Sequence, residues 1–162
     1  MLTQNPIAIE RLPPDFAHWA ELLDLIRRSF AYMDGVIDPP SSVHRLTEQG
    51  LREKARTEIG LLARDGDRLC GCVFLRAKDD HLYVGKLAVD PALSGAGIGR
   101  HLMAKTEAVA RSLGKPVLEL QTRIELAANH AIFARLGFVE TQRTAHEGYS
   151  RPTTITMRKA LT

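Results

Sequence analysis

Two cysteines, a single tryptophan and no long apolar run set the first limits on this chain of 162 residues. Cys70 and Cys72 are too few for a disulfide framework, and no second Cys or His pair lies near them to complete a tetrahedral metal site. Two apart on a strand, they are expected to share one face and to act as small apolar filler, with no metal. Nothing approaches the roughly 20 consecutive apolar residues needed to span a bilayer, so no membrane association is expected. Gln4, Asn5 and Pro6 stand where a secretory leader would need its apolar segment, which makes a cytoplasmic location the expectation. A strong excess of one charge is also missing. Lys and Arg number 22 against 19 Asp and Glu, a net +3, and the two signs are interspersed. That pattern gives no basic stripe for a nucleic-acid partner.

What is present is an ordinary globular composition, 44% hydrophobic and 25% charged, of a size for one domain spanning residues 1–162. Ile7 to Arg11 reads as a short strand closed by Pro13 and Pro14, and Asp15 is placed to cap a helix. Phe16, Trp19, Leu22, Leu23, Ile26 and Phe30 then recur at helical spacing. A second helix is expected from about Ser42 to Arg56. Thr57 to Ala63 and Arg68 to Arg76 read as strands joined by an Asp65-Gly66-Asp67 turn, followed by a strand from His81 to Val89. An amphipathic helix runs from Ile98 to Ser112 and stops at Gly114 before Pro116. Val117 to Thr122, Phe138 to His146 and Thr153 to Lys159 complete the strands, with a helix from Asn129 to Leu136. The order implies an α/β domain with a mixed sheet and helices on both faces.

One stretch carries the chemistry: Leu87-Ala88-Val89-Asp90-Pro91-Ala92-Leu93-Ser94-Gly95-Ala96-Gly97-Ile98-Gly99-Arg100. A buried strand enters a glycine loop, and the loop opens a helix. Glycines there let backbone N–H groups converge on a ligand at the positive end of the helix dipole, which suits a phosphate or pyrophosphate. A Walker-type loop needs Lys and then Ser or Thr after its last glycine, but Gly99 is followed by Arg100 and His101. A dinucleotide fingerprint starting at Gly95 needs glycine where Arg100 stands. Just upstream, the alternation in His81 to Val89 slips near Gly85-Lys86. Either the strand is buried on both faces or it contains a β-bulge.

The stretch resembles the signature of the GNAT superfamily of acyl-CoA N-acyltransferases. Leu87 to Val89 and Pro91 match its strand end, and Gly97, Ile98 and Gly99 its glycine end, while Ser94 replaces the customary Gln or Arg. Asn129 to Phe138 resembles the family's second cofactor-contacting helix, with Phe133 where a Tyr is usual. The element order is similar over nearly the whole chain. The resemblance implies a central, twisted, mostly antiparallel sheet whose fourth and fifth strands splay apart around the arm of acetyl-CoA. It places Leu87, Ala88 and Val89 along that arm, with the Leu87 N–H facing the thioester carbonyl. Ser94, Gly95, Ala96, Gly97, Ile98, Gly99 and Arg100 fall at the pyrophosphate, with Asn129 and Phe133 against the cofactor. It implies transfer of an acetyl group to a primary amine of a small molecule, peptide or protein, and leaves a homodimer open.

Phe133 has no proton to donate, so the usual general acid is missing. Tyr149, in the connection before the last strand, is the candidate acid, and His146 the candidate base. Tyr32, Asp34 and Asp38 follow the first long helix, where the family commonly lines its acceptor site.

Overall fold

The computed structural model describes residues 7–162. The leader reading at Gln4, Asn5 and Pro6 lies outside them. In chain order the elements are β1 (Ala8–Arg11), α1 (Trp19–Phe30), α2 (Glu48–Thr57), β2 (Ile59–Asp65), β3 (Arg68–Ala77), β4 (Leu82–Val89), α3 (Ile98–Ser112), β5 (Val117–Arg123), α4 (Ala127–Arg135), β6 (Val139–Thr144) and β7 (Thr154–Ala160). The strands form one mixed sheet in the order β1-β2-β3-β4-β5-β7-β6. β4 and β5 run parallel, and every other neighbouring pair is antiparallel.

The helices cover both faces. Leu22, Leu25 and Ile26 of α1 and Leu51 of α2 pack on one face with Leu62, Cys72, Phe74 and Ala88. Ile98, Leu102, Met103 and Ala110 of α3 pack on the other with Val73, Leu75, Leu118 and Phe138. Burying both faces removes the polar side that a half-exposed strand would show. That is why β3 reads as a continuous apolar run.

Three local expectations are corrected. Asp15 does not cap α1, which begins at Trp19 with His18 before it and no side-chain cap. Instead Phe16 N–H donates to Pro13 O in a turn, and the buried Phe16 ring packs edge-on to Trp19 at 4.9 Å. Core packing of the approach thus mimics one more helical turn. The expected helix from Ser42 to Arg56 is two pieces, a 3-10 turn over Ser42–Arg45 and then α2. Thr47, extended between them, accepts from Gly50 N–H at 3.0 Å and starts α2 afresh. Cys70 and Cys72 are both buried, but on opposite faces. Ala63 pairs with Gly71 and Arg64 with Leu69, so Cys70 is an extra residue that resets the alternation.

The slip read near Gly85-Lys86 is a β-bulge. Cys72 pairs with Ala88 and Phe74 with Gly85, so Val73 alone opposes Lys86 and Leu87. Lys86 carries φ +51, the left-handed region that a side chain rarely occupies. Cys72 Sγ donates to the Lys86 carbonyl at 3.5 Å, and so supplies a partner at the break in the ladder. Beyond the bulge β4 leaves its other neighbour as well. Only Leu82 with Leu118 and Tyr83 with Glu119 pair between β4 and β5. The fourth and fifth strands are splayed.

Candidate active site

The splay opens a cleft of about 880 Å³. Tyr83 to Leu87 form one wall and Leu120 to Arg123 the other. Asp90 N–H donates to Cys70 O on β3 at 2.8 Å, and successive N–H groups along β4 alternate between β3 and the other side. Val89 N–H points away from β3 and donates to the Ser29 hydroxyl at 3.1 Å. By the same alternation Leu87 N–H faces the cleft. Across from it, Thr122 Oγ1 is buried, with the residue 7% exposed, and has no hydrogen-bond partner among the described residues. A buried hydroxyl without a partner costs free energy unless a ligand or water meets it.

The glycine loop follows directly from β4. Asp90, 3% exposed, caps the turn by accepting from Ala92 N–H at 2.9 Å. Its two carboxylate oxygens also accept from Arg28 at 3.1 Å and Arg68 at 3.0 Å. Burial pushes this carboxyl up, yet the Ala92 N–H and the two guanidinium groups together hold it below its ordinary value. Gly97, at φ +81, then turns the chain into α3. The first N–H groups of the helix, at Ile98, Gly99 and Arg100, have no intrahelical acceptor and face outward with the positive end of the dipole. A side chain at Gly95 would meet nothing within 4 Å, so the loop surface lies open.

The other end of the cleft is made from loops. The connection between α1 and α2 is clipped down at Asp38 to Pro40. Asp38 N–H donates to Glu125 Oε2 at 3.0 Å, and Arg123 donates to the Pro39 and Pro40 carbonyls at 2.7 and 3.2 Å. The Asp38 carboxylate accepts from the Tyr149 hydroxyl at 2.5 Å and from Arg151 at 3.0 Å. The Arg151 guanidinium also lies 5.5 Å from the Tyr149 ring centroid. The bond to Asp38 raises the Tyr149 pKa above its ordinary value and keeps the phenol protonated.

The sequence model of the Acetyltransferase (GNAT) family matches residues 19–138. This chain belongs to the GNAT acetyltransferase family. It is 30% identical over 155 residues to the aminoglycoside N(6')-acetyltransferase type 1 of Stenotrophomonas maltophilia, covering 90% of this chain and 94% of that one. Its fold is similar to the PaiA N-acetyltransferase of Thermoplasma acidophilum in complex with coenzyme A. The TM-score is 0.79 at 17% identity, over 97% of this chain and 100% of that chain. A GNAT family acetyltransferase from Elizabethkingia anophelis with acetyl-CoA bound gives a TM-score of 0.70 at 16% identity, over 98% and 100%.

Within this GNAT fold the residues singled out from sequence fall into three places. Leu87, Ala88 and Val89 form the end of β4, and Ser94 to Arg100 carry it into α3. Asn129 and Phe133 lie on α4 and line the cleft, and Asn129 Nδ2 donates to the Tyr32 hydroxyl at 2.8 Å. The cofactor candidate on α4 thus touches the acceptor candidate after α1. Tyr32, His146 and Tyr149 line the same cleft. His146 Nδ1 is 2.5 Å from Thr153 Oγ1; burial and then the Arg123 charge pull its pKa below the ordinary value. Asp34 lies elsewhere, 2.7 Å from His44 in a separate hollow of about 150 Å³. Ser29 and Thr122 carry no sequence motif. Their roles come from which strand edge they meet, which local spacing does not encode. Cys72, whose thiol burial pushes up to about 12, is no nucleophile.

No helix among the described residues is long and apolar enough to cross a membrane.

Proposed function

We propose that this GNAT chain transfers an acetyl group from acetyl-CoA to a primary amine by direct attack, with no covalent enzyme intermediate. The observation that carries the reading is the bulged end of β4. By strand alternation it turns the Leu87 N–H toward the cleft, and the same strand leads on through the open glycine loop to the start of α3. The residues present fit the cofactor. Ile98, Gly99 and Arg100 offer N–H donors to a pyrophosphate, Asn129 and Phe133 line the path, and the unpartnered Thr122 hydroxyl faces the gap. Acetyl-CoA, when bound, supplies an activated acyl thioester. The Leu87 N–H donates toward the position where negative charge develops as the amine attacks. Holding both reactants in one cleft removes much of the entropic barrier. The name of the Stenotrophomonas maltophilia relative, an aminoglycoside N-acetyltransferase, supports an amine acceptor.

In calorimetry the protein binds acetyl-CoA, and in a thiol-release assay it liberates CoA when a primary amine is added. A folded protein that binds no acetyl-CoA overturns the assignment. Binding without thiol release from any amine points instead to an acyl-CoA-binding regulatory module, a reading that the missing phenol at Phe133 favours.

A further inference from the structure

The acceptor end of the cleft carries charge that the cofactor does not use. Lys86, Arg45, Lys54 and Arg123 line it, against one carboxylate, Glu147. Two of these cations are already answered. Lys54 Nζ lies 2.9 Å from Glu58 Oε2, and Arg123 is spent on the Pro39 and Pro40 carbonyls. The other two are not. The Lys86 ammonium donates to the neutral Ser42 hydroxyl at 3.0 Å, and Arg45 has no ion pair among the described residues. Burial and then the neighbouring Lys54 pull the Lys86 pKa below its ordinary value, and the more weakly acting Glu58 does not offset them.

Their position assigns them to the acceptor. Lys86 is the bulge residue itself, so its side chain starts one residue before the N–H aimed at the reacting carbonyl. It reaches Ser42 and lies near Lys54 of α2, on the face away from α3. The phosphate-binding loop begins past Asp90. Four residues of strand, about 13 Å, separate it from Lys86.

We infer that the acceptor amine also bears an anionic group, a carboxylate or a phosphoryl, which Lys86 and Arg45 hold. The inference rests on the amine acetylation proposed above and names the class of amine. Charge-assisted hydrogen bonds from two cations fix the acceptor beside the Leu87 N–H. The same cations disfavour an ammonium next to them, so the site itself lowers the pKa of the attacking nitrogen and enriches its neutral form. A polycationic amine meets repulsion at the same place.

The test compares matched amines by CoA thiol release: alanine against alaninamide, 2-aminoethylphosphonate against ethanolamine, and spermidine as the polycation. The anionic member of at least one pair is expected to lead in kcat/KM by about tenfold, the worth of one charge-assisted hydrogen bond. Which pair responds tells carboxylate from phosphoryl. Lys86→Met, which keeps the aliphatic stem, brings the ratio to within about twofold, while Lys86→Arg retains it. Acetyl-CoA affinity by calorimetry stays as in the unsubstituted protein. Preference for neutral amines or spermidine overturns the inference and leaves the acetyltransferase reading standing. So does a ratio that survives both Lys86→Met and Arg45→Ala, or a Lys86→Met variant that loses acetyl-CoA instead. Absence of acetyl-CoA binding, or of acetylation of every amine, removes both together.

Discussion

At one end the groups proposed to face the cofactor are backbone donors on β4, the glycine loop and α3. Two buried side chains support them from beneath: Asp90, paired with the half-exposed Arg28 and Arg68, and Cys72 under the bulge. At the other end the groups proposed to face the acceptor are side chains from three connections and the end of β5, held to one another through Asp38, Glu125, Arg123, Tyr149 and Arg151. At the first end the donors of β4 and α3 belong to regular structure anchored in the core. The second is a set of mutual contacts between exposed and half-buried groups, individually modest where water reaches them. A cofactor shared across a family suits the first construction, and an acceptor that varies from member to member suits the second.

Breaking the backbone end is expected to have the largest effect. Gly97→Asp puts a carboxylate where the pyrophosphate approaches the start of α3. Acetyl-CoA binding should fall by at least about a hundredfold, or roughly 2.7 kcal/mol. Asn tolerates the left-handed backbone about as well as Asp, so Gly97→Asn separates charge from strain. If both variants bind acetyl-CoA by calorimetry like the unsubstituted protein, the loop is not the anion site and the contrast between the two ends collapses.

Asp90 tests whether buried anchors support that end. Asp90→Asn keeps the shape but turns an amide toward two guanidinium groups. A loss of about 2 kcal/mol in urea unfolding is expected, since both arginines stay partly solvated. The pH dependence has a definite sign. The folded carboxyl sits below its ordinary value, so its contribution is complete above the unfolded pKa of about 3.9 and is lost as pH falls through the lower folded value. The difference in stability between the two proteins should therefore shrink below about pH 4. A difference that stays constant through that window would show that charge at Asp90 is not what anchors the loop.

The same contrast explains what could be read from sequence. Gly97 and Gly99 lie beside Val89 in the chain, so the cofactor end is written in one contiguous stretch. The bulge left its trace in the slipped alternation at Gly85-Lys86, because a one-residue insertion changes the parity of its neighbours. The second bulge, at Cys70, left none: with both faces of β3 buried there is no polar alternation to disturb. Asp15 misled because Phe16 packs in the core without being helical. The acceptor end depends on pairs 111 and 113 residues apart, Asp38 with Tyr149 and with Arg151. Tyr32, Asp34 and Asp38 looked alike as loop residues. Tertiary contacts alone sent Asp34 to His44 and Asp38 to Tyr149.

The smallest effect is expected at Tyr149, where the mutual contacts of the acceptor end can be tested one hydroxyl at a time. As a general acid the phenol would release its proton to the departing thiolate. In the structure it donates to Asp38 Oδ1 at 2.5 Å, and Asp38 in turn takes Arg151. The pKa, raised chiefly by that bond, favours holding the proton over giving it up. We therefore expect the hydroxyl to serve as a latch on the α1–α2 connection. Tyr149→Phe keeps the ring under Arg151 and removes the bond. The acceptor KM should rise about fivefold, the cost of one exposed hydrogen bond to a charged group, with kcat within about threefold and acetyl-CoA affinity unchanged. An Asp38→Asn variant should show the same KM effect, and the double variant little more than either single one, because both remove one interaction. A hundredfold fall in kcat for Tyr149→Phe, with Asp38→Asn silent, would instead make the phenol the acid that Phe133 cannot be.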